Sequence, residues 1–193
     1  MKEGLEIFKN GLQSIRDNMK TKKALIIIDM LNDFVLENAP LEVPSTRNII
    51  PALKKEIKEA REQEIPIIYV TDSHEKDDVE FKRMNWPAHA VKGTPGSDII
   101  EDLKPRNGDI IIPKTNYSAF HSGNLHNVLK ELEVDTLTIT GTVTHICVLF
   151  MAYDGVLRGY DVEVPKSCVA GQNEEDDQSA FKIMREVLGV KVI

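Results

Sequence analysis

The 193-residue chain predicts an α/β fold in three layers: a doubly wound, mostly parallel six-stranded sheet of Rossmann-like type with helices on both faces. Three observations predict it. Short apolar runs alternate with amphipathic stretches along the chain, which implies right-handed crossovers. Several runs are apolar at consecutive positions, as parallel strands covered on both faces must be. Reactive side chains also fall at the ends of those runs, where open α/β sheets bind ligands.

In chain order, residues 1–20 come first. Leu5, Phe8, Leu12, Ile15 and Met19 alternate three and four apart, which predicts an amphipathic helix packed on the domain or at a subunit interface, so a homo-oligomer is expected. Its acids Glu3, Glu6 and Asp17 count against a mitochondrial presequence. Residues 21–193 read as one domain with no repeat or linker. Predicted strands are 24–28, 65–70, 109–113, 136–140, 161–165 and 190–193. Predicted helices are 45–62, 124–132, 148–158 and 174–188. The first carries Ile49, Ile50, Leu53, Ile57 and Ala60 on one side. The acids Glu174–Asp177 should cap the positive end of the last. The longest connection without regular structure is 71–97; long ordered loops are usually functional, and this one holds Asp72, His74, Trp86 and His89.

Bulk numbers exclude several classes. A net charge of −7 argues against nucleic acid, which requires a basic surface. No apolar run approaches the roughly 20 residues that span a bilayer, and no secretory signal is visible. Two cysteines, Cys147 and Cys168, make a disulfide framework unexpected and a reducing cytoplasm the default location.

Four strand ends deliver reactive groups: Asp29, then Asp72 and His74, then Lys114, then Cys147. Cys147 lies in Gly141–Val148, between a strand and a helix-like run. At a helix N-terminus the dipole and unpaired N–H groups favour a thiolate and can bind an oxyanion. Taken singly, an aspartate after a strand is more often a turn residue or cap, a lysine a solvated cation, and a cysteine a small buried hydrophobe. Their joint placement points to a cysteine nucleophile. Asp72 and His74, two apart on an extended segment, face one side, and His89 can join them from the loop. One carboxylate and two imidazoles suit a divalent metal, zinc first, with iron or manganese as alternatives; simple hydrogen bonding within the loop is the other reading.

These segments resemble the isochorismatase-like cysteine hydrolases. Asp29-Met-Leu-Asn-Asp33-Phe34 is similar to the family's opening D-x-x-x-D-F motif. Lys114 with Tyr117-Ser118-Ala119-Phe120 is similar to its lysine segment, and Gly141–Val148 to its G-x-x-T-x-x-C-V motif. The resemblance runs from about Lys23 to the C-terminus. Within the family, Asp72-x-His74, Trp86-Pro87-Ala88-His89 and Gly93-Thr94-Pro95-Gly96 are similar to the metal segment of nicotinamidases.

The resemblance implies a catalytic triad of Asp29, Lys114 and Cys147 and hydrolysis of nicotinamide to nicotinate and ammonia through a thioester, in NAD salvage. It implies an oxyanion hole from the backbone N–H groups of Val143 and Cys147, and a cis peptide between Thr142 and Val143. It implies Asp72, His74 and His89 as metal ligands orienting the pyridine nitrogen, and Phe34 and Trp86 as the aromatic residues sandwiching the ring. His145 departs from the acidic residue that nicotinamidases often carry there. A fourth protein ligand is not fixed: Glu80 and the other acids of the Glu75–Glu80 run are candidates, none aligned without a gap, and water is the alternative. His121 and His126 read as surface or helix-side residues and Cys168 as a structural thiol. The alternatives are another small carboxamide, ureide or N-carbamoyl compound as substrate, or a non-catalytic binding module of the same fold. Retention of the cysteine and the metal segment disfavours isochorismate vinyl-ether hydrolysis.

Overall fold

Alternate side chains of the first strand feed two separate cores, and this divides the fold into layers. The computed structural model describes residues 22–193, so the helix expected over residues 1–20 lies outside the described residues. Strands are β1 (Lys23–Ile28), β2 (Ile67–Asp72), β3 (Ile110–Lys114), β4 (Thr136–Thr142), β5 (Asp161–Val164), β6 (Val169–Ala170) and β7 (Lys191–Val192). Helices are α1 (Asn32–Val35), α2 (Thr46–Glu62), α3 (Val79–Met84), α4 (Ala119–Ser122), α5 (Leu125–Glu131), α6 (Leu149–Leu157) and α7 (Glu174–Glu186).

The sheet runs β3-β2-β1-β4-β5-β7, with β6 added beside β4, and every pairing is parallel. On one face, Leu25 and Ile27 of β1 and Tyr69 of β2 pack against Ile49, Leu53 and Ile57 of α2. On the other, Ala24, Ile26 and Ile28 pack with Leu129 of α5, Met151 and Ala152 of α6, and Phe181 and Met184 of α7. Burying one such aliphatic side chain contributes about 1.5–3 kcal/mol. Strand order reverses between β1 and β4, so their C-terminal ends flank the crevice where such sheets bind ligands. Here the strands approach closely: Gly141 (φ 105°) lies against Ile28, and any Cβ would strike the Ile28 backbone.

The predicted class and all six predicted strands are present; the differences are short elements and a cap, among them the four-residue helices α1 and α4. The seventh strand, β6, has two residues and so no readable alternation. The 71–97 connection contains α3, a six-residue helix too short for a periodic signal, capped by Asp78 accepting the Glu80 N–H at 2.9 Å. The cap of α7 is Asn173, whose side chain accepts the Asp176 N–H at 2.9 Å; the acids occupy the first turn instead. Finally, a π-helical turn over Thr144–Val148 precedes α6 and carries Cys147. Among the described residues, no helix is long and apolar enough to cross a membrane.

Candidate active site

Three neighbouring strand ends and the π-turn place their reactive groups around one ammonium. Asp29 follows β1 in the left-handed region (φ 51°), a conformation that aspartate tolerates better than most residues. Its N–H donates to the Val70 carbonyl, and its Oδ1 accepts the Asp72 N–H at 2.8 Å. Lys114 ends β3 in register with Asp72 at the end of β2. Its side chain is fully covered, with Nζ 2.8 Å from Asp29 Oδ2 and also paired with Asp72 Oδ1. The same Nζ donates to Cys147 Sγ at 3.6 Å. The structure thus brings Asp29, Lys114 and Cys147 together, and adds a contact that spacing did not suggest: Asp72 shares the lysine.

The charges around this ammonium set the resting protonation states. Burial, with Asp72 adding to it, pushes the Asp29 carboxyl up to about 6, while Lys114 pulls the other way. Burial also pushes Asp72 up, but Lys114 and His74 outweigh it and hold Asp72 below the usual carboxylate range. Lys114 is kept charged by its two carboxylates despite burial. Cys147 moves opposite to the sequence expectation. Burial drives its pKa well up, Lys114 opposes that only in part, and Asp29 and Asp72 add to it. The resting sulfur is therefore a thiol, with Asp29 close enough to exchange its proton. The expected thiolate counted the helix end but not the two carboxylates delivered by β1 and β2.

Beyond Asp72 the chain builds a second cluster. Asp72, His74 and His89 are all buried, and one ligand atom from each lies within 4.8 Å of the others. His74 Nδ1 is 3.0 Å from Asp78 Oδ2, leaving Nε2 facing Asp72 Oδ2 at 3.7 Å and Glu80 Oε2 at 3.9 Å. His89 Nδ1 is fixed by the Pro87 carbonyl at 2.9 Å. Such outer partners fix ring orientation at metal sites. Burial opposes charge on His74, but Asp72 and Asp78 outweigh it and push its pKa up to about 9. Hard oxygen and imidazole donors around a point that attracts positive charge fit a divalent cation.

Asp33 holds the loop in place. Its Oδ2 accepts the N–H of Ala90 at 2.8 Å, next to His89, and Gly96 abuts the same carboxylate, with no room for a Cβ. Sequence reasoning quoted Asp33 within a motif without giving it work, and gave none to Asp78.

The two clusters share a cavity of about 200 Å³, lined by Asp29 and Cys147, by Asp72, Glu80 and His89, and by Phe34, Trp86, Tyr117 and His145. Val143 lines it too, beyond a cis Thr142–Val143 peptide. Phe34 meets His89 edge-on, with ring centroids 5.4 Å apart, and Trp86 does so at 6.0 Å. Tyr117 was quoted only within a motif; here it approaches both Glu80 and Cys147. A larger groove of about 620 Å³ along α2 and residues 101–106 contains none of these groups. His121 is exposed, His126 bonds the Tyr160 hydroxyl at 3.0 Å, and Cys168 is buried away from the cavity.

The arrangement has parallels in known proteins. The isochorismatase domain family matches residues 23–193. The isochorismatase family protein YaaI of Bacillus subtilis is 34% identical over 173 residues, covering 90% of this chain and 94% of that protein. A probable inactive nicotinamidase of Arabidopsis thaliana is 34% identical over 177 residues, 87% of this chain and 90% of its own. Among solved structures, a pyrazinamidase/nicotinamidase of Streptococcus mutans superposes with a TM-score of 0.83 at 33% identity, covering 89% of this chain and 99% of that one. The zinc complex of Pyrococcus horikoshii pyrazinamidase gives 0.84 at 29% identity, with 89% and 98% covered. An N-carbamoylsarcosine amidase of Thermoplasma acidophilum gives 0.80 at 31% identity, with 89% and 95% covered.

Proposed function

The chain belongs to the isochorismatase family, whose members include proteins named as amidases, and we propose that it is a metal-assisted nicotinamidase working through a thioester on Cys147. One observation carries the reading: a single cavity is lined by the thiol with its aspartate and by the Asp72/His89 cluster, with Phe34 and Trp86 beside them. Nicotinamide is a flat ring with a carboxamide at one end and a nitrogen acceptor in the ring, which matches those two kinds of wall.

In this reading Asp29, whose carboxyl titrates at about 6, takes the proton from Cys147 as sulfur adds to the amide carbon. Lys114 stays charged and stabilises the ionised sulfur and carboxylate together. The N–H groups of Val143 and Cys147 receive the oxyanion. Asp29 returns its proton to the departing nitrogen, which leaves as ammonia and a thioester remains. Asp29 then draws a proton from water, whose oxygen adds to the thioester carbon; collapse releases the acid, and sulfur recovers the proton. Asp72, His74 and His89, with Glu80 as a fourth donor, would hold the cation, whose Lewis acidity orients a ring nitrogen. Phe34 and Trp86 would hold the ring by stacking, and release of nicotinate would place the reaction in NAD salvage.

Likeness to N-carbamoylsarcosine amidase favours a second reading, an N-carbamoyl or ureido substrate on the same triad. Likeness to a nicotinamidase named as inactive raises a third, a binding module. The convergence of Asp29, Lys114 and Cys147 argues for catalysis. The test is ammonia release from nicotinamide and from N-carbamoylsarcosine, each with and without chelator. Chelator-sensitive release from nicotinamide is expected. Release from the N-carbamoyl compound alone would move the chain to the second reading, and release from neither would remove both substrates.

A further inference from the structure

Beneath the nucleophile turn, three buried side-chain atoms lack hydrogen-bond partners: Thr144 Oγ1, His145 Nδ1 and Asp177 Oδ1. They belong to one cluster. Thr144 and His145 open the π-turn that carries Cys147, and Asp177 reaches in from the first turn of α7. Asp177 Oδ2 accepts the Gly171 N–H at 3.2 Å. A Cβ on Gly171 would strike the Asp177 carboxylate and come within 3.3 Å of His145 Nδ1, so glycine alone lets the chain leaving β6 pass between them. Burial pushes the Asp177 carboxyl up, while the Thr144 hydroxyl, the Gly171 N–H and the His145 ring pull it back. His145 Nε2 lies 3.7 Å from Asp176 Oδ2. Hydroxyl and imidazole protons can both be directed at Asp177 Oδ1, so a single carboxylate oxygen can satisfy the start of the turn.

We propose that Asp177 is a positioning residue for Cys147: through Thr144, His145 and Gly171 it clamps the π-turn to α7 and fixes the sulfur relative to Lys114 and Asp29. The proposal rests on the reading of Cys147 as nucleophile and not on the identity of the amide. Nothing else in the first turn of α7 can substitute, because Glu174 and Glu175 are exposed and Asp176 faces the outer nitrogen of His145. A sulfur displaced by about 1 Å loses on the order of 100-fold in rate, so a small slackening of the turn is measurable.

The test uses full-length protein, with Asp177→Ala, Asp177→Asn and Thr144→Val. It measures kcat and KM on nicotinamide, the rate of iodoacetamide alkylation at Cys147 located by mass spectrometry, and thermal melting. Asp177→Ala is expected to lower kcat and the alkylation rate together by roughly 10- to 100-fold with KM within about twofold. Asp177→Asn, which keeps an acceptor for Thr144 and Gly171, should restore most of both. If Asp177→Ala does not fold, Thr144→Val decides, because it removes one hydroxyl at constant shape; a loss of about three- to tenfold in both rates is expected. Parental kcat and alkylation rates in folded Asp177→Ala, or in Thr144→Val, would overturn the proposal. If the parent leaves nicotinamide untouched, the alkylation arm still decides, so failure of the substrate reading and failure of the clamp are told apart.

Discussion

The Asp29/Lys114/Cys147 group and the Asp72/His74/His89 cluster touch through Asp72 yet are built in opposite ways. Asp29, Lys114 and Asp72 stand at or just beyond the ends of β1, β3 and β2, and their relative positions follow from strand register. His74, Glu80 and His89 stand on a connection whose shape depends on the Asp78 cap, the Asp33 bond to Ala90 and the short helix α3. A sheet edge gives a reaction centre fixed geometry at little cost in special residues. A loop needs its own polar anchors but can be refitted to another substrate without disturbing that centre. Likeness to enzymes named for nicotinamide, pyrazinamide and N-carbamoylsarcosine accords with that division.

Substitutions on the two sides should therefore fail differently. The largest effect belongs to Cys147→Ala, which should lower kcat by on the order of 10⁴-fold or more while nicotinamide binding, read by calorimetry, stays within a few-fold of the parent. Lys114→Ala should also abolish turnover, and because it leaves Asp29 and Asp72 buried without their cation it should cost about 3–5 kcal/mol in urea unfolding. Retained stability in that variant would show that the lysine is not what holds the strand ends together. On the loop side, His89→Ala should strip metal from the purified protein and raise KM while Cys147 alkylation stays at the parental rate. A slowed alkylation would mean that the two regions are not separable. Asp78→Asn, which keeps an oxygen for the Glu80 N–H but loses the carboxylate that orients His74, should weaken metal affinity by about 10- to 100-fold, read by competition with a chelating dye.

The smallest effect is the pH response. The proposed mechanism uses Asp29 as the base, and its folded pKa is raised to about 6, mainly by burial. Protonation as pH falls through that value removes the acceptor for the Cys147 proton, so kcat/KM should hold above about pH 6 and fall about tenfold per unit below it. A profile flat to pH 4.5 would exclude Asp29 as the base.

The fold was readable because β1 and β2 are apolar at consecutive positions and α2 repeats its apolar residues at helical spacing. Elements of two to six residues, β6, α3 and the π-turn, carry too few positions for a period to show. Asp29, Lys114 and Cys147 could be placed at strand ends from sequence because such ends gather at one sheet edge. The Lys114–Asp72 pair, the Asp33 anchor and the Asp177 cluster join residues 42, 57 and 6 apart, by contacts that only the folded chain creates. The protonation of Cys147 was misjudged for the same reason: its neighbours in space, not in sequence, decide it.

The most direct measurement of the central claim is intact-mass analysis of enzyme quenched within its first turnovers on nicotinamide. The account predicts a nicotinoyl thioester adduct, mapped by peptide digestion to Cys147, that disappears once the substrate is exhausted and never forms in Cys147→Ser. Ammonia released at full rate with no adduct on any cysteine, or with the adduct on Cys168, would contradict it.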